Sequence, residues 1–516
     1  MTTTTSSKLG EHLAGDGIPW TSRSLLLTTA LVLILTWRAT IIVYNLYFHP
    51  LRRFPGPLHR RASRIPHAFG NAFGTGIFEI QKLHDRYGPV VRIAPGHLSF
   101  TDPAAWNDIY GPIGKNKSGW PEMPKSRKFT TVVLGEPDSV ASADFHEHQT
   151  VRRALSGGFS DASLRKMEPM LRRYTDLLVR RMREKSGGGE AALNMAAFFN
   201  WATFDIIGDL VFGQSFRCLE KCEYHLYVAW LFSSIKAWTA FVSLCYLDQR
   251  WIIELLTKTV GQRSMDMIQK VMKGMMDERL AMPRGRDDLL EELIARREEW
   301  NMSDASITSN AFLLTIAGSE TSATTLCGIS YLLGTHPDAY RKLTDEIRST
   351  FKTADDITIS EVSRMPYLTA VINETLRMYP AVPANLVRII PPEGKQIAGQ
   401  YIPGGTMVEV QNWSSNHSEA NFVDPWKFSP ERWMGEREAG IKRNNNNNLE
   451  ASQPFGYGTR NCIGRSLAQA EMRLILCRIL LDFDMKLGEG MQGWMERQKS
   501  FHLWDRPALD IYYTPR

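Results

Sequence analysis

A glycine-rich stretch near the C-terminus surrounds Cys462 and could present its sulfur as a metal ligand. From Phe455 to Gly464 it reads FGYGTRNCIG, with Gly456 and Gly458 before the cysteine. Backbone that lies close to a flat macrocycle has no room for side chains, so these glycines leave the sulfur free to reach a central iron. The stretch therefore predicts an axial thiolate ligand of a haem.

The residues around this cysteine support that interpretation. Helix-forming residues without proline follow from Arg465 to Leu481, and the N–H groups at a helix N-terminus favour a thiolate. Arg460 is placed to meet a haem propionate. The alternative is an ordinary buried cysteine in a glycine loop. The spacing Phe-x-x-Gly-x-Arg-x-Cys-x-Gly rarely arises by chance and favours the haem ligand.

A second segment suited to chemistry, Ala317 to Thr321, reads AGSET. Its Glu320 is the only carboxylate between Ala305 and Pro337, and a single acid in so apolar a helix needs a reason. Cleavage of an O–O bond needs two protons, which Glu320 could relay while the Thr321 hydroxyl binds a distal water. Gly318 would leave room for oxygen. The alternative is a buried Glu320 paired with an arginine, with Thr321 as helix filler.

These motifs resemble those of cytochrome P-450 monooxygenases, specifically the membrane-bound fungal enzymes of secondary metabolism. The resemblance extends from about Tyr47 to Arg516. It implies a mostly α fold with small β-sheets, shaped as a triangular helical prism. In that fold haem b lies between a long distal helix and the cysteine loop, and one N-terminal transmembrane helix precedes the body.

The resemblance also implies a reaction and its participants. One atom of O2 is inserted into a hydrophobic small molecule, and electrons come from NADPH through a separate reductase. The implied catalytic pair is Glu320 and Thr321. The implied haem contacts in the two motifs are Cys462, Arg460, Phe455, Gly456, Gly464, Ala317 and Gly318. A basic surface near Arg460 and Arg465 would suit an acidic reductase.

Three further residues are predicted to contact the haem propionates. A helix begins near His146, and His148 and Arg152 lie one turn apart on one face of it. The family places a similar pair against a propionate, and Arg388 fits its third propionate contact. The alternative for the helical pair is a solvated basic face.

A buried ionic group is predicted to brace the cysteine loop. After Pro366 the apolar positions trace one helix face, so Glu374 and Arg377 point the same way among apolar neighbours. A buried pair of this kind needs a further partner. The family supplies an arginine downstream, and Arg432 matches it. We expect these three residues to be structural.

Several elements must position these residues. A helix capped by Ser303 or Ser306 and ending at Leu333 would be about 28 residues and roughly 42 Å long. Two stretches are rich in aromatic residues, Met195 to Phe216 and Tyr224 to Leu247, and such stretches usually belong to the core. In the family this region forms the roof over the substrate, so part of 230–241 could face a ligand. The segment 381–387 is expected to touch substrate, and 399–408 to form a hairpin beside the pocket.

Composition indicates one large folded body. Hydrophobic residues make up 43% and charged residues 22% of 516 residues, which excludes wholesale disorder. A net charge of +6 suits acidic partners or an anionic membrane. The sequence contains no basic block interleaved with aromatic residues, so it does not indicate nucleic-acid binding. Six cysteines in so long a chain are no disulfide framework, so we expect a reducing compartment.

The N-terminal region predicts a membrane anchor. We expect a flexible start over 1–23, a transmembrane anchor over 24–48, a proline-rich hinge over 49–66 and a catalytic domain over 67–516. Arginines cluster directly after the anchor, which places the body on the cytosolic side of the endoplasmic reticulum membrane, crossed once. A cleaved signal peptide is the alternative, but no small-x-small site follows.

Residues 488–493 match GxGxxG, but too little chain follows for a dinucleotide fold, so we expect a terminal loop. The alternatives to a monooxygenase are a haem-thiolate isomerase or dehydratase that needs no reductase, and a non-catalytic haem-binding protein. Terpenoid, polyketide and alkaloid scaffolds all fit as substrates.

Overall fold

The computed structural model describes residues 20–114, 118–129, 137–249, 251–252, 255, 262–383, 386–435 and 447–516. The described helices are α1 (Trp20–Val43), α2 (Leu58–Ala62), α3 (Ile65–Ala72), α4 (Gly76–Tyr87), α5 (Ala104–Tyr110), α6 (Phe145–Ser156), α7 (Asp161–Lys185), α8 (Met195–Phe212), α9 (Cys218–Lys221), α10 (Leu226–Tyr246), α11 (Gln262–Ala281), α12 (Glu291–Ala295), α13 (Asp304–Thr335), α14 (Pro337–Thr350), α15 (Ile359–Ser363), α16 (Pro366–Met378), α17 (Asn412–Asn416) and α18 (Arg465–Asp482). A single π-helical turn, Tyr44–Phe48, follows α1. The mostly helical fold predicted from the sequence is confirmed.

The strands are short and form four small sheets. They are β1 (Val90–Ala94), β2 (His97–Phe100), β3 (Ala192–Asn194), β4 (Arg388–Ile389), β5 (Lys395–Ile397), β6 (Gln400–Ile402), β7 (Met407–Val410), β8 (Phe483–Leu487), β9 (Lys499–Phe501), β10 (Leu503–Asp505) and β11 (Asp510–Pro515). The sheet orders are β1-β2-β7-β4, β3-β11-β8, β5-β6 and β10-β9. The first sheet contains both the strand that begins at Arg388 and the one that ends at Val410.

The predicted hairpin over 399–408 is wrong. Strand β6 pairs with β5, whereas β7 pairs with β2 and β4, so the two strands belong to different sheets. The alternation of residues along 399–408 predicted strands correctly, but it carries no information about which strand is the partner. Residues Glu409 and Gln411, just beyond this range, line a cavity.

The long helix α13 lies at the centre of the main hydrophobic cluster. The Ser303 side chain caps its N-terminus by accepting from the Ser306 N–H at 3.1 Å. From Ser319 onward nearly every residue is buried, because α8 packs along it and all of α8 except Trp201 is also buried. The helix ends at Thr335, two residues past the predicted end, and Pro337 begins α14.

The N-terminal helix α1 stands apart from this core. It begins at Trp20, four residues before the predicted anchor, and residues 1–19 lie outside the described part. The segment Ser24–Phe48 has a mean hydropathy of 2.0, and its most apolar 18-residue stretch is not buried in the protein. Length and composition make it a candidate membrane span. In the described part of the chain, two other helices are apolar and long enough: α8, which is buried except for Trp201, and α10.

Candidate active site

The cysteine loop holds Cys462 with an exposed side chain directly before α18. The Cys462 N–H donates to the Phe455 carbonyl at 2.7 Å, which closes the loop. Gly456 and Gly458 adopt φ values of 72° and 75°, a region that favours glycine. A side chain on Gly458 would also overlap the Tyr110 carbonyl. These two glycines are therefore needed by the loop itself, a reason that the sequence did not reveal.

The environment of the sulfur differs in one respect from the prediction. Although the sulfur is open to solvent, the many protein atoms around it partly desolvate it and raise the pKa of the Cys462 thiol, while the Gly464 N–H and the charges of Arg152 and Arg465 lower it by smaller amounts. The helix N-terminus alone therefore does not produce a thiolate. A cation bound to the sulfur, such as an iron ion, is needed to stabilise the thiolate.

The predicted propionate residues Arg152 and His148 lie beside this loop on α6. Arg152 donates to the Asn461 carbonyl at 2.7 Å and to Asn461 Oδ1 at 2.6 Å, so it holds the residue next to the cysteine. His148 is buried, and burial together with nearby cations lowers its pKa to about 4. It is therefore neutral at physiological pH.

Arg460 has a partner that sequence reasoning missed. It donates to Glu122 at 2.7 Å and to the Ala143 carbonyl at 2.7 Å, and Thr459 also donates to Glu122. Glu122 lies 338 residues before Arg460, and no local pattern marks it as a partner. Arg460 is therefore buried, which corrects the expectation that it contributes to a basic outer surface.

Arg388 completes a group of cations around Glu122. It donates to the Met123 carbonyl at 3.0 Å, while its buried Nε has no hydrogen-bond partner among the described residues. Lys125 belongs to the same group, and burial with the charges of Arg460 and Arg388 lowers its pKa to about 7. The unpartnered Nε–H of Arg388 lies among several cations and is therefore suited to bind the carboxylate of a ligand.

On α13, the predicted motif splits into two faces. Ala317 is exposed and Thr321 is half-buried, one turn apart on the same face. The Thr321 hydroxyl donates to the Ala317 carbonyl at 2.7 Å. Ser319 and Glu320 are buried on the other side. Ala317 and Thr321 are thus the residues of this motif that could contact a ligand on this side of the helix.

Gly318 has a packing role that was not predicted from the sequence. A Cβ at this position would lie 2.6 Å from Ile207 Cδ1 of α8. The glycine therefore permits α8 to pack closely against α13. This contact alone explains why a glycine occupies position 318, and the predicted role in leaving room for oxygen stays a prediction.

Glu320 is paired with Arg506, as the alternative interpretation held. The Arg506 Nη2 donates to Glu320 Oε1 at 2.5 Å and to Asn200 Oδ1 at 3.0 Å. Burial raises the pKa of the Glu320 carboxyl, and Arg506 offsets part of this effect. Burial lowers the pKa of Arg506, but Glu320 and Cys327 raise it to a net value above the ordinary one. Glu320 Oε2 has no hydrogen-bond partner in the described part of the chain.

A second buried acid, Glu471 on α18, was also missed. Burial raises its pKa to about 8, and the Ser322 hydroxyl of α13 lowers it by a smaller amount. A carboxyl with this pKa holds its proton at neutral pH. The sequence signal was available, because Glu471 stands between apolar residues in a helix whose inner face is otherwise apolar.

The predicted ionic brace is present. Arg377 donates to Glu374 through two nitrogens at 2.9 Å each, and Arg432 donates to Glu374 at 2.9 Å. Trp433 adds a bond of 2.8 Å to the same carboxylate. All three charged residues are buried. The remaining Arg377 donors bind the carbonyls of Asn416 and Pro425, so this ionic group links α16 to the segment before the cysteine loop.

The predicted substrate segment 381–387 is only partly packed. Val382 is 37% and Leu386 is 47% exposed, whereas Ala381 and Val387 are buried. Residues 384–385 lie outside the described part. Of the predicted ligand-facing stretch 230–241, Thr239 lines a cavity.

These residues fit a haem. The exposed sulfur of Cys462 supplies the ligand that a haem requires. Exposed Ala317 and half-buried Thr321, on one face of a long helix, supply a distal surface. The unpartnered Nε of Arg388 supplies a contact for a haem carboxylate. The same donor set, one thiol among cations, does not suit a multidentate metal site. The described residues also contain no group of three or more metal-ligating side chains.

Comparison with known proteins gives a consistent result. A family model described as "Cytochrome P450" matches residues 59–509. The cytochrome P450 monooxygenase tpeC of Talaromyces stipitatus is 42% identical over 95% of this chain and 94% of its own length. An averantin hydroxylase of Dothistroma septosporum is 37% identical over 94% and 90%, and the monooxygenase stcF of Emericella nidulans is 40% identical over 94% and 99%.

Proposed function

This chain belongs to the cytochrome P450 family, and from that premise we propose a specific assignment of its residues and partners. It is a haem-thiolate monooxygenase similar to fungal enzymes of secondary metabolism. The proposed substrate is a hydrophobic small molecule, and the proposed electron source is a separate NADPH-dependent reductase. The exposed sulfur of Cys462, in a loop closed by its own N–H, is the observation that carries this assignment.

The proposed haem-binding residues surround the cysteine loop. Cys462 would provide the sulfur that holds the haem iron, and Arg388 would donate its Nε–H, unpartnered among the described residues, to a haem carboxylate. Arg152 acts through Asn461, because its two hydrogen bonds hold the residue beside the ligand. When bound, haem supplies an iron that activates O2 for insertion into a C–H bond. The surfaces proposed to lie against the two faces of the haem are formed on one side by Phe455, Gly456 and Gly464 of the cysteine loop and on the other by Ala317 of α13.

The proposed proton path runs through α13. Thr321 presents its hydroxyl beside Ala317 and can hold a water there, since its hydrogen is donated to the Ala317 carbonyl and both lone pairs of its oxygen remain free to accept. Glu320 lies buried behind it, and burial raises the pKa of its carboxyl, so that its unpartnered Oε2 can take up and release a proton more readily than an exposed carboxylate. Arg506 limits that tendency through its bond to Oε1. Glu471 of α18, beside Ser322 of α13 and with a pKa of about 8, is a second group that can hold a proton near this helix.

A reductase is proposed to dock near the start of α18. Arg153 and Arg465 are both exposed, and the Arg152–Asn461 bonds bring their elements together. A basic surface there would attract an acidic partner. Arg460, buried against Glu122, takes no part in it.

The proposed location is the endoplasmic reticulum membrane, with the catalytic body in the cytosol. The span Ser24–Phe48 and the arginines that follow it support this orientation. Exposed apolar side chains on the neighbouring helices α3 and α10 would let the body rest on the bilayer surface. They are Ile65, Phe69, Phe73, Leu226 and Trp238.

The test is the spectrum of the purified protein reduced under carbon monoxide. A thiolate-ligated haem gives a Soret band shifted to long wavelength, and Cys462→Ala is expected to abolish it. Cys477→Ala is the matched control, because Cys477 is a buried thiol of α18 away from the loop. Absence of the band from the wild type would refute the assignment. Turnover without NADPH and reductase would favour an isomerase or dehydratase.

A further inference from the structure

Three arginines bind the last carbonyl groups of the candidate membrane span. These carbonyls lie in the π-helical turn Tyr44–Phe48, where a helix runs out of its own N–H donors. The pairs are Arg92 with Asn45 at 3.0 Å, Arg61 with Leu46 at 3.4 Å, and Arg52 with Tyr47 at 3.4 Å. Two of these arginines follow the span closely, but Arg92 belongs to β1 of the body. The body therefore caps the end of the span.

This junction is fixed in place rather than loosely tethered. The Asn45 side chain donates to the Ala62 carbonyl at 3.0 Å, so a second bond holds the end of the span to α2. Arg92 is fully buried. Leu51 and Phe54, which follow the span, are buried in the same hydrophobic cluster. The arginines around the junction therefore have defined positions.

The junction carries a surplus of positive charge. Two of its arginines have acidic partners, because Arg60 binds Glu79 and Arg64 lies 2.8 Å from Asp248. Four others bind only backbone carbonyls in the described part of the chain. They are Arg52, Arg53, Arg61 and Arg92. The end of a helix carries only about half a negative charge. It therefore offsets a small part of these four cations.

The pKa values of two buried arginines show the difference that a carboxylate makes. Burial lowers the pKa of both Arg60 and Arg92. For Arg60 the charge of Glu79 opposes that effect. For Arg92 the charge of Arg61 adds to it, and the pKa falls to about 10. Arg92 still carries its proton at neutral pH. A buried cation beside a second cation is costly unless an anion is bound nearby.

Two guanidinium nitrogens at the junction are available to such an anion. Arg61 Nε and Arg60 Nη1 are buried and have no hydrogen-bond partner among the described residues. The neighbouring Arg52 is exposed, so the site opens to the outside of the protein. A water molecule would satisfy the hydrogen bonds but would leave the charge uncompensated. A phosphate does both, because its oxygens match the guanidinium fork.

The position of the junction selects the source of the phosphate. Tyr44, Tyr47 and Phe48 are exposed around the end of the span. Aromatic residues of this kind lie at the level of lipid headgroups. The apolar stretch before them is long enough to cross the hydrocarbon layer. The arginines that bind the carbonyls of this turn therefore lie at the depth of the lipid phosphates, where anionic lipids attract basic clusters.

We propose that Arg52 and Arg61 form a binding site for the phosphate of an anionic phospholipid, at the end of the membrane span. The inference rests on the proposed membrane location of the chain. The surplus charge favours a lipid with net negative charge over phosphatidylcholine, whose ammonium group the arginines repel. Because the same two arginines hold carbonyls of the span, lipid binding and attachment of the anchor to the body support each other.

The test counts lipids that stay bound to the full-length, haem-loaded protein. The protein is placed in phosphatidylcholine nanodiscs that contain a minor share of phosphatidylserine, phosphatidylinositol or phosphatidic acid, and native mass spectrometry identifies the lipids retained on release. We expect one anionic lipid to be retained in preference to phosphatidylcholine. Arg61→Gln should reduce this retention about tenfold, since it removes a charge-assisted contact. Inorganic phosphate in excess should not displace the lipid, because the acyl chains hold it at the site.

Two further variants separate a built site from general attraction. Arg61→Lys keeps the charge but loses the planar fork, so it should also lose most of the retention. Arg64→Gln removes a charge from the same region, but Arg64 is paired with Asp248 and should not be needed. Arg52→Gln changes an exposed residue and should weaken retention even if Arg61→Gln fails to fold.

Each outcome decides the inference. Equal retention of phosphatidylcholine and anionic lipids would overturn it, as would displacement by inorganic phosphate. Wild-type retention by Arg61→Lys, or an equal loss in Arg64→Gln, would show that only general electrostatic attraction acts, and would also overturn it. Extraction of the protein from membranes by alkaline carbonate would refute the proposed location, and loss of the carbon monoxide band in the wild type would refute the haem assignment. These failures are therefore distinguishable.

Discussion

Arg506 donates to Glu320 at 2.5 Å although 186 residues separate them in the chain. The carboxylate belongs to the centre of α13, and the guanidinium to the loop that follows the strand β10 (Leu503–Asp505). Both side chains are buried. The acid that the sequence predicted beside Thr321 is therefore held by the C-terminal part of the chain, and its proton affinity depends on that contact.

Removing Arg506 should destabilise the protein more than removing both partners. Arg506→Met leaves the buried Glu320 without its cation, with an expected loss of about 3–5 kcal/mol in the free energy of unfolding. Glu320→Gln/Arg506→Met should recover a large part of that loss. Denaturant unfolding of the two single variants and the double variant measures the coupling. An additive result would show that the pair does not interact.

Thr321→Ala should retain the carbon monoxide band but waste reducing equivalents as hydrogen peroxide. The variant removes the hydroxyl beside Ala317 that can hold water, while the residue's place in the helix does not need it. Peroxide formed per NADPH consumed is the measurement. Thr325→Ala is the control, because Thr325 makes the same kind of bond, to the Thr321 carbonyl, one turn away. Equal peroxide yields from both variants would count against the role.

Gly318→Ala should reduce stability by separating α13 from α8. The added Cβ overlaps Ile207 Cδ1, and overpacking of this kind costs about 1–3 kcal/mol. Gly318→Ala/Ile207→Val should regain part of the loss. A matched helical substitution is Gly274→Ala, where a Cβ meets nothing within 4 Å, and it should raise stability by about 0.5–1 kcal/mol. A Gly318→Ala variant with unchanged melting temperature but poor coupling would instead support a role at oxygen.

Glu471→Gln should change how stability depends on pH. The folded-state pKa of Glu471 is raised from 4.5 to about 8, so the unfolded chain loses its proton first as pH rises. Relative to the variant, the wild type then loses stability by about 1.4 kcal/mol per pH unit through this window. The variant should match the wild type near pH 4.5 and exceed it by a few kcal/mol at pH 8. Exposed Glu496, changed to Gln, should show no such divergence.

Much of the site could be predicted because its spacing is local. The i, i+3 pair Glu374 and Arg377 faces one way on any helix, and the cysteine loop and the AGSET segment are contiguous. Their elements follow from periodicity and caps, such as Ser303 before α13. Family motifs then supplied the roles. None of these inferences required knowledge of which segments meet in space.

The amino-acid sequence by itself determined the cysteine loop, the long helix, the candidate membrane span and the family. Tertiary structure alone decided that Glu320 pairs with Arg506, that Arg460 is buried against Glu122, that Gly318 serves the contact with Ile207, and that β6 and β7 enter different sheets. The physical reason is that spacing along one helix or strand is set by backbone geometry, whereas these partners are chosen by the packing of segments hundreds of residues apart.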